Sequence, residues 1–483
     1  MLLRIVLVAL IVAVLCAPAA AADEGSVRLA RGAESSFDSF TRSPGPAEQS
    51  FMRDHYWRMR VYSPYFDSRL SWFRDGWVYQ DAYAIYPKSP LLTSHPEWIL
   101  RDGAGNRLWI KFACSGGSCT QYAADIGNPD FRAWWIAGAK AKLAAGYRGL
   151  FIDDVNMAQR VSDGNGVYTQ PVDPRTGARM NETAWQRYMA DFMQEVRAAL
   201  PGVEIVHNSI WTVGDATPDL RRQLNAADYI ELERGFNDAG IVGGASKFGW
   251  QTLAGFIDRR HADGRAVILD GYAESAAGRL YGLATYFLLN SGRDALANDA
   301  ATRPDAFWAG YDVGLGAARG ARYRFGGVWR RDFAGGVVLV NEPGSAARTV
   351  EIGAGWRDVD GVARSSVTLG AASGAVLLSA AATTGEPAAE PKRRRGRASI
   401  RARARARGVR IRGRVSGASG GAVRIVVERR QSRRWATVRR ANATVGHDGT
   451  YRRRVARLSR GRYRARAVHA TAASGYRGFR IRP

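Results

Sequence analysis

Five apolar runs in this sequence each end in acids, amides or a histidine. GLFIDDVN ends in Asp153, Asp154 and Asn156, and DYIELERGF carries Glu231 and Glu233. VEIVHNSIW supplies His207, Asn208 and Trp211, RAVILDGYA supplies Asp270 and Tyr272, and VYQDAYAIY supplies Asp81. An isolated charge inside a buried strand is costly, so acids gathered at strand ends point to a shared site. Several carboxylates meeting at one place suit cleavage of a glycosidic bond. One carboxylic acid protonates the leaving oxygen, and another carboxylate attacks or stabilises the oxocarbenium-like carbon. Aromatic side chains beside them, Trp77, Trp211 and Tyr272, offer faces for sugar rings.

Two roles follow from the surroundings. Asp153, beside Asn156 and a second acid, is expected to be the ionised carboxylate. Glu233 follows the apolar pair Tyr229-Ile230 and alternates with Leu232, so partial desolvation would let it hold its proton as the donor. Asp154, Asn156, Asp81, His207, Asn208, Trp211, Glu231, Asp270 and Tyr272 are the candidate substrate-binding residues. Successive strand side chains point to opposite faces, so Asp153 and Asp154 are expected on different sides and Glu231 deeper on the face of Glu233. Each also has a plainer role. Asp154 caps a loop or holds an arginine, Asp270 orders a loop, His207 makes a hydrogen bond near the mouth, and Asp125 caps the helix beginning near Pro129.

The elements that must position these residues alternate between strand and helix. From GWVYQDAYAIY through YAADI, a helix over 128–145, GLFIDDV and on to SAAGRLYGLATYFLLNSG, the pattern predicts a parallel sheet. A repeat sustained over about 250 residues suits a closed (β/α)8 barrel, whose catalytic mouth lies at the C-terminal strand ends. Gly146 and Gly202 stand where helices need a left-handed C-cap.

The flanking segments read differently. Residues 1–22 have the pattern of a secretory signal, with Arg4, a short apolar run and small residues before Asp23, so the protein is expected to be exported, with no membrane span after cleavage. Residues 23–318 form the expected barrel and 319–381 a small all-β domain. A Pro/Ala/Arg linker at 382–408 leads to an Ig-like β-sandwich at 409–483. Residues 392–483 hold 30 Lys or Arg and two acids, a net of +28 against +26 for the whole chain, leaving everything before them at −2. The basic character therefore belongs to the C-terminal module, and it suits an anionic cell-envelope or extracellular glycan. Export and the few aromatics there, Trp435, Tyr451, Tyr463, Tyr476 and Phe479, argue against nucleic acid.

The runs HPEWILRDGAGNRLWI, YAADIGNPDFRAWWI, GLFIDDVNM and ELERGF resemble the secreted glycoside hydrolases, most closely the hypothetical glycosyl hydrolase-like family 15, over about residues 50 to 380. The resemblance implies a TIM barrel and a hydrolase acting on a poly- or oligosaccharide, with Asp153 as the acid of the F-[IL]-D strand ending. Arg234, between Glu233 and Gly235, departs from the E-x-F or E-G-F ending of the later strand. Competing chemistries lack their residues. Histidines 55, 95, 207, 261, 447 and 469 form no metal-binding pair, and there is no Gly-x-Ser-x-Gly elbow, phosphate loop or dinucleotide fingerprint. No cofactor or metal is expected. The alternative reading is an inactive barrel that binds carbohydrate at the cell envelope.

Cys114 and Cys119, five residues apart in ACSGGSC, are expected to form a structural disulfide, which the chain-entropy model values at roughly 2 kcal/mol at most. Mass spectrometry of exported protein should find the two linked; free thiols in correctly exported material would contradict the assignment.

Overall fold

The computed structural model describes residues 24–33, 39–115, 118–271, 273, 275–297, 307–380, 399–405, 408–415, 422–431, 434–446, 450–456, 458–469, 472–473 and 476–481. They belong to two compact units that divide after Ala380.

In the first unit eight strands close a parallel barrel in chain order: β1 (Leu29–Ala33), β2 (Tyr56–Val61), β3 (Gly76–Asp81), β4 (Gly149–Asp153), β5 (Glu204–Asn208), β6 (Tyr229–Leu232), β7 (Ala266–Asp270) and β8 (Ala295–Ala297). The ring is completed where Leu29 pairs with Leu296. Its helices are α1 (Pro46–His55), α2 (Pro129–Leu143), α3 (Glu182–Ala199), α4 (Pro218–Asn225), α5 (Trp250–Ala262) and α6 (Ala276–Leu289). Asn128, not Asp125, caps α2, accepting from the backbone N–H of Asp130 and Phe131. Asp125 is instead bound by Arg175, at 2.9 Å. Gly146 and Gly202 do take the left-handed backbone, at φ 107° and 76°.

The barrel strands are apolar on both faces because both are covered. Leu150, Ile152, Ile205 and Ile230 pack under the helix layer with Trp135, Trp185 and Phe256. Phe151, Val206, Tyr229 and Ile268 fill the interior with Trp77. Strand alternation from Phe151 carries Asp153 to the interior side at the C-terminal end of β4. LARGA, YWRMRV and ALA, the segments of β1, β2 and β8, were not among the expected strands. Of YAADI only Tyr122–Ala123 is extended, and it joins a small sheet with Ala84–Ile85, Trp109–Ile110 and Val161–Ser162 in the connections after β3 and β4. The disulfide Cys114–Cys119 ties a two-stranded hairpin in the same insertion.

Six antiparallel strands follow: β9 (Tyr323–Phe325), β10 (Val328–Asp332), β11 (Gly336–Asn341), β12 (Arg348–Asp358), β13 (Ala363–Leu369) and β14 (Ser373–Ser379), in the order β9-β10-β11-β14-β12-β13. This sheet is fused to the barrel. Phe333, Val338, Val340 and Val376 share one buried cluster with Leu283 and Phe287 of α6, and Arg331 donates to the carbonyls of Phe287 and Asn290 at 3.0 and 2.8 Å. Glu342 accepts from the Gly244 N–H at 2.8 Å and from Gln251 at 3.0 Å, binding the sheet to the β6–α5 connection.

The second unit has two antiparallel sheets made of β15 (Arg401–Arg405), β16 (Gly408–Arg414), β17 (Ala422–Gln431), β18 (Arg434–Thr444), β19 (Thr450–Ala456), β20 (Gly461–His469), β21 (Ala472–Ala473) and β22 (Arg477–Ile481). One sheet is β15-β16-β19; in the other β17 lies between β18 and β20, and β21 and β22 both pair with β20. Val409, Ile411, Val423, Ile425, Val427 and Tyr463 fill its core.

At the N-terminal floor of the barrel, Trp57, Trp77 and Tyr229 meet at ring separations of 5.4 to 5.5 Å. Glu204 accepts there from Arg58 at 2.8 and 2.9 Å, from Trp77 Nε1 at 2.9 Å and from Arg148 at 2.9 Å. Desolvation alone would raise its pKa, but these donors outweigh it and hold it at about 2, below the ordinary 4.5. Trp77 is thus part of the floor, far from a sugar site. Glu204→Gln should destabilise the first unit by about 3 kcal/mol in urea unfolding, because Arg58 loses its main counter-charge in a buried setting. The stability that Glu204 carries is present above pH 4.5 and is lost as the pH falls toward 2, and the variant should lack that part of the acid slope.

Candidate active site

A cavity of about 330 Å³ opens at the C-terminal end of the barrel, lined by Tyr79, Phe112, Gln121, Asp153, Asp154, Asn156, Asn208, Ser209, Ile210 and Glu233. Asp153 is its most constrained acid. Tyr79 Oη donates to Oδ2 at 2.7 Å, while Asn208 Nδ2 and the Asp154 N–H donate to Oδ1, both at 2.8 Å. Both oxygens accept hydrogen bonds, an arrangement suited to a charged carboxylate. Burial, with the charges of Asp153 and Asp81, pushes the Tyr79 hydroxyl well up, so it remains a donor.

Asp154 departs from the expected alternation. Its φ of 50° lies in the left-handed region, which aspartate tolerates better than most residues, and the turn brings its side chain to the same cavity as Asp153. Asn156 Nδ2 donates to Tyr83 Oη at 2.8 Å and to Asp154 Oδ1 at 3.3 Å. Burial first, and then repulsion from Asp153, raise Asp154 to about 6, partly offset by hydrogen bonds from Asp81 and Asn156.

Asp81, paired with Asp153 across β3 and β4, is buried. Its Oδ1 accepts from the N–H groups of Tyr83 and Ala84 at 2.8 and 2.7 Å, and among the described residues no donor reaches Oδ2. Desolvation, followed by the charges of Asp154 and Asp153, pushes Asp81 well above the carboxylate range. A protonated Asp81 giving its hydrogen to Asp154 would satisfy both groups and leave one charge between the two acids.

Glu233 reaches the cavity from the first position past β6, where Arg234 and Gly235, at φ 64° and 49°, reverse the chain. It is exposed. The desolvation expected at Glu233 falls instead on Asp81, Asp154 and the deeper Glu231, which lies 4.0 Å from Arg60. Asn208 and Asn156 are at the cavity as expected, and Asp81 stands immediately behind it. Glu231, Asp270 and Trp211 do not line it; Glu231 and Asp270 are buried, and Trp211 is half-buried. His207 is turned away from the mouth. It alternates with Val206 and Asn208, is fully buried, has no hydrogen-bond partner on either ring nitrogen among the described residues, and is pushed down to about 4 by desolvation. Tyr272 lies outside the described residues.

The sequence reading passed over Tyr79, Phe112, Gln121, Ser209 and Ile210. Only Tyr79 had a signal, since it shares a strand face with Asp81 two residues on. Phe112 and Gln121 come from the insertion that carries the disulfide hairpin. Among the described residues no three His, Cys, Asp or Glu side chains are arranged to hold a metal ion, and no helix is long and apolar enough to cross a membrane.

Carboxyls gathered at the mouth of an eight-stranded parallel barrel suit glycosidase-like chemistry. The model of hypothetical glycosyl hydrolase family 15 matches residues 59–337, and the chain belongs to that family. No curated protein sequence matches. Among solved structures, the glycoside hydrolase domain of PelA from Pseudomonas aeruginosa is 14% identical, covering 57% of this chain and 96% of its own, with a TM-score of 0.36. Amy13B from Eubacterium rectale is 10% identical over 74% of this chain and 96% of its own, with a TM-score of 0.41. The cyclic α-maltosyl-(1→6)-maltose hydrolase of Arthrobacter globiformis is 13% identical over 74% of this chain and 100% of its own, with a TM-score of 0.37.

The shared proton has a measurable sign. Folded Asp81 and Asp154 bind protons more tightly than an unfolded aspartate of ordinary value 3.8, so their contribution to stability is full below that value; the part due to Asp154 is lost as the pH rises through about 6, and the part due to Asp81 as the pH rises through its own raised value. Asp81→Asn keeps an acceptor for Tyr83 and Ala84 and supplies an N–H donor to Asp154. Thermal unfolding between pH 4 and 7.5 should therefore show a smaller loss of Tm in the variant than in the wild type; parallel curves would contradict proton sharing.

Proposed function

We propose that the protein is an exported glycoside hydrolase that cleaves O-glycosidic bonds of a poly- or oligosaccharide with two carboxyl groups and no cofactor. The observation that carries this reading is the Asp153 carboxylate, held by three donors in the wall of the cavity that Glu233 also lines. Asp153 acts at the anomeric carbon, as nucleophile or as stabiliser of its positive charge. Tyr79, Asn208 and the Asp154 N–H fix its orientation, so little reorganisation accompanies the reaction.

Glu233 is the proton donor in this reading. It comes from β6, two strands round the ring from β4, so it approaches the bond from a different side than Asp153. Its exposure suits a leaving group that departs to solvent. Asp154 is the competing donor, favoured by its burial and its value of about 6. Against it stand its position next to Asp153 in the chain and the bonds that tie it to Asp81 and Asn156. Phe112 adds an exposed ring at the cavity against which a sugar can rest. The basic second unit holds the enzyme on anionic cell-envelope or extracellular glycan.

Aryl glycosides of graded leaving-group ability test these assignments. Asp153→Asn should abolish turnover on every member of the series. Glu233→Gln should lose on the order of 10²–10⁴-fold on poor leaving groups and far less on good ones, which need little protonation. If Asp154→Asn shows that leaving-group dependence and Glu233→Gln does not, the donor is Asp154. Full activity in all three variants would remove the chemistry from this cavity.

A further inference from the structure

On the sheet β15-β16-β19, arginine faces arginine across the strands. Arg401 pairs with Arg412 and Arg412 with Arg452; one step along, Arg403 pairs with Arg410 and Arg410 with Arg454. All six side chains are exposed, while the alternating Val409, Ile411 and Val455 are buried in the core. The arginines therefore form two rows of three on one face, with neighbours about 4.8 Å apart within a row and rows about 6.8 Å apart.

Like charges directly opposite one another destabilise a sheet. Nothing acidic offsets them among the described residues of this unit, whose one carboxylate side chain, Glu428, is bound to Arg464 on the other sheet at 2.6 Å. Two concavities overlie the rows. One of about 590 Å³ is lined by Arg401, Arg412 and Arg452 together with Ser399, Thr444 and Thr450; another of about 440 Å³ is lined by Arg410, Arg454, Arg453 and the same Arg452.

We infer that this face is a binding site for a linear anionic glycan, whose acidic groups engage the arginine rows while its hydroxyls meet Ser399, Thr444 and Thr450. Guanidinium forks take carboxylate, sulfate or phosphate oxygens in pairs, and a ladder of them fits a chain with repeated charges better than a single ion. Nucleic acid fits poorly. Tyr451 is the one aromatic residue lining either concavity, and it is buried with its hydroxyl donating to the Ser399 carbonyl at 2.7 Å, so no exposed ring is offered to a base. The inference gives the envelope attachment proposed above a location and a ligand chemistry, and it is independent of the barrel's reaction.

The test uses the full chain, with polygalacturonate as a carboxylated probe, heparin as a sulfated one, dextran as a neutral control and single-stranded DNA as the rival polyanion. Binding to at least one anionic glycan, and not to dextran, should weaken on the order of tenfold or more between 50 and 200 mM salt. Which of the two binds tighter identifies the preferred acid group. The triple variant R401Q/R412Q/R452Q should lose about tenfold or more in affinity. R462Q/R466Q/R480Q, which removes equal charge from exposed positions on the other sheet, should lose about threefold at most. Melting curves of both variants check the fold, and relief of like-charge repulsion should keep or raise the Tm of the first. Equal weakening by the two variants would reduce the effect to net charge and overturn the site. So would tighter binding of DNA than of either glycan, or no binding to both glycans. Asp153→Asn should bind as the wild type does, so failure of the hydrolase reading leaves this result readable.

Discussion

The mouth of the barrel must hold four carboxyls, Asp81, Asp153, Asp154 and Glu233, without letting four negative charges accumulate in a partly dry space. Each solution is different. Asp153 is surrounded by donors, burial favours the protonated forms of Asp81 and Asp154, and Glu233 is left in solvent. Like charges in a low-dielectric site repel strongly, so these arrangements depend on one another. The left-handed turn at Asp154 follows from the same constraint, since it brings the second acid within reach of Asp81 and makes its own N–H a donor to Asp153.

Much of this was legible in the sequence. GLFIDDV and DYIELERGF were read as barrel strands because strand and helix alternate along that part of the chain. Asp153 followed from the position of its run within the barrel. What escaped has physical causes. LARGA and YWRMRV carry arginines that disguise a barrel strand, and the ALA strand β8 is too short to show a period. Alternation put Asp154 on the wrong side because a single positive φ cancels the two-residue period. His207 seemed a site residue by its place at a strand end, yet its side chain obeys alternation and turns under the helices. Phe112 and Gln121 reach the cavity from an insertion far along the chain, a juxtaposition that no local pattern encodes.

The two units handle charge in contrasting ways. At the floor of the barrel Glu204 is paired with Arg58 and Arg148. On the three-stranded sheet of the second unit, the arginine rows stand opposite one another and in solvent, where screening limits the repulsion. The first arrangement supports a rigid frame. The second leaves charge available to a partner.

Glu342 alters where the catalytic part of this protein can be said to end. It lies one residue past β11, yet it accepts from Gly244 and Gln251, at the far end of the connection that begins with Glu233. The region that matches the family model, 59–337, starts after β1 and stops inside β11, before Glu342 and three further strands of the sheet. A fragment cut at those limits would have an open barrel and a connection after β6 anchored at one end only. A piece that keeps both anchors and the whole sheet runs from β1 to β14, so the six-stranded sheet belongs to the barrel's frame as much as any of its helices does.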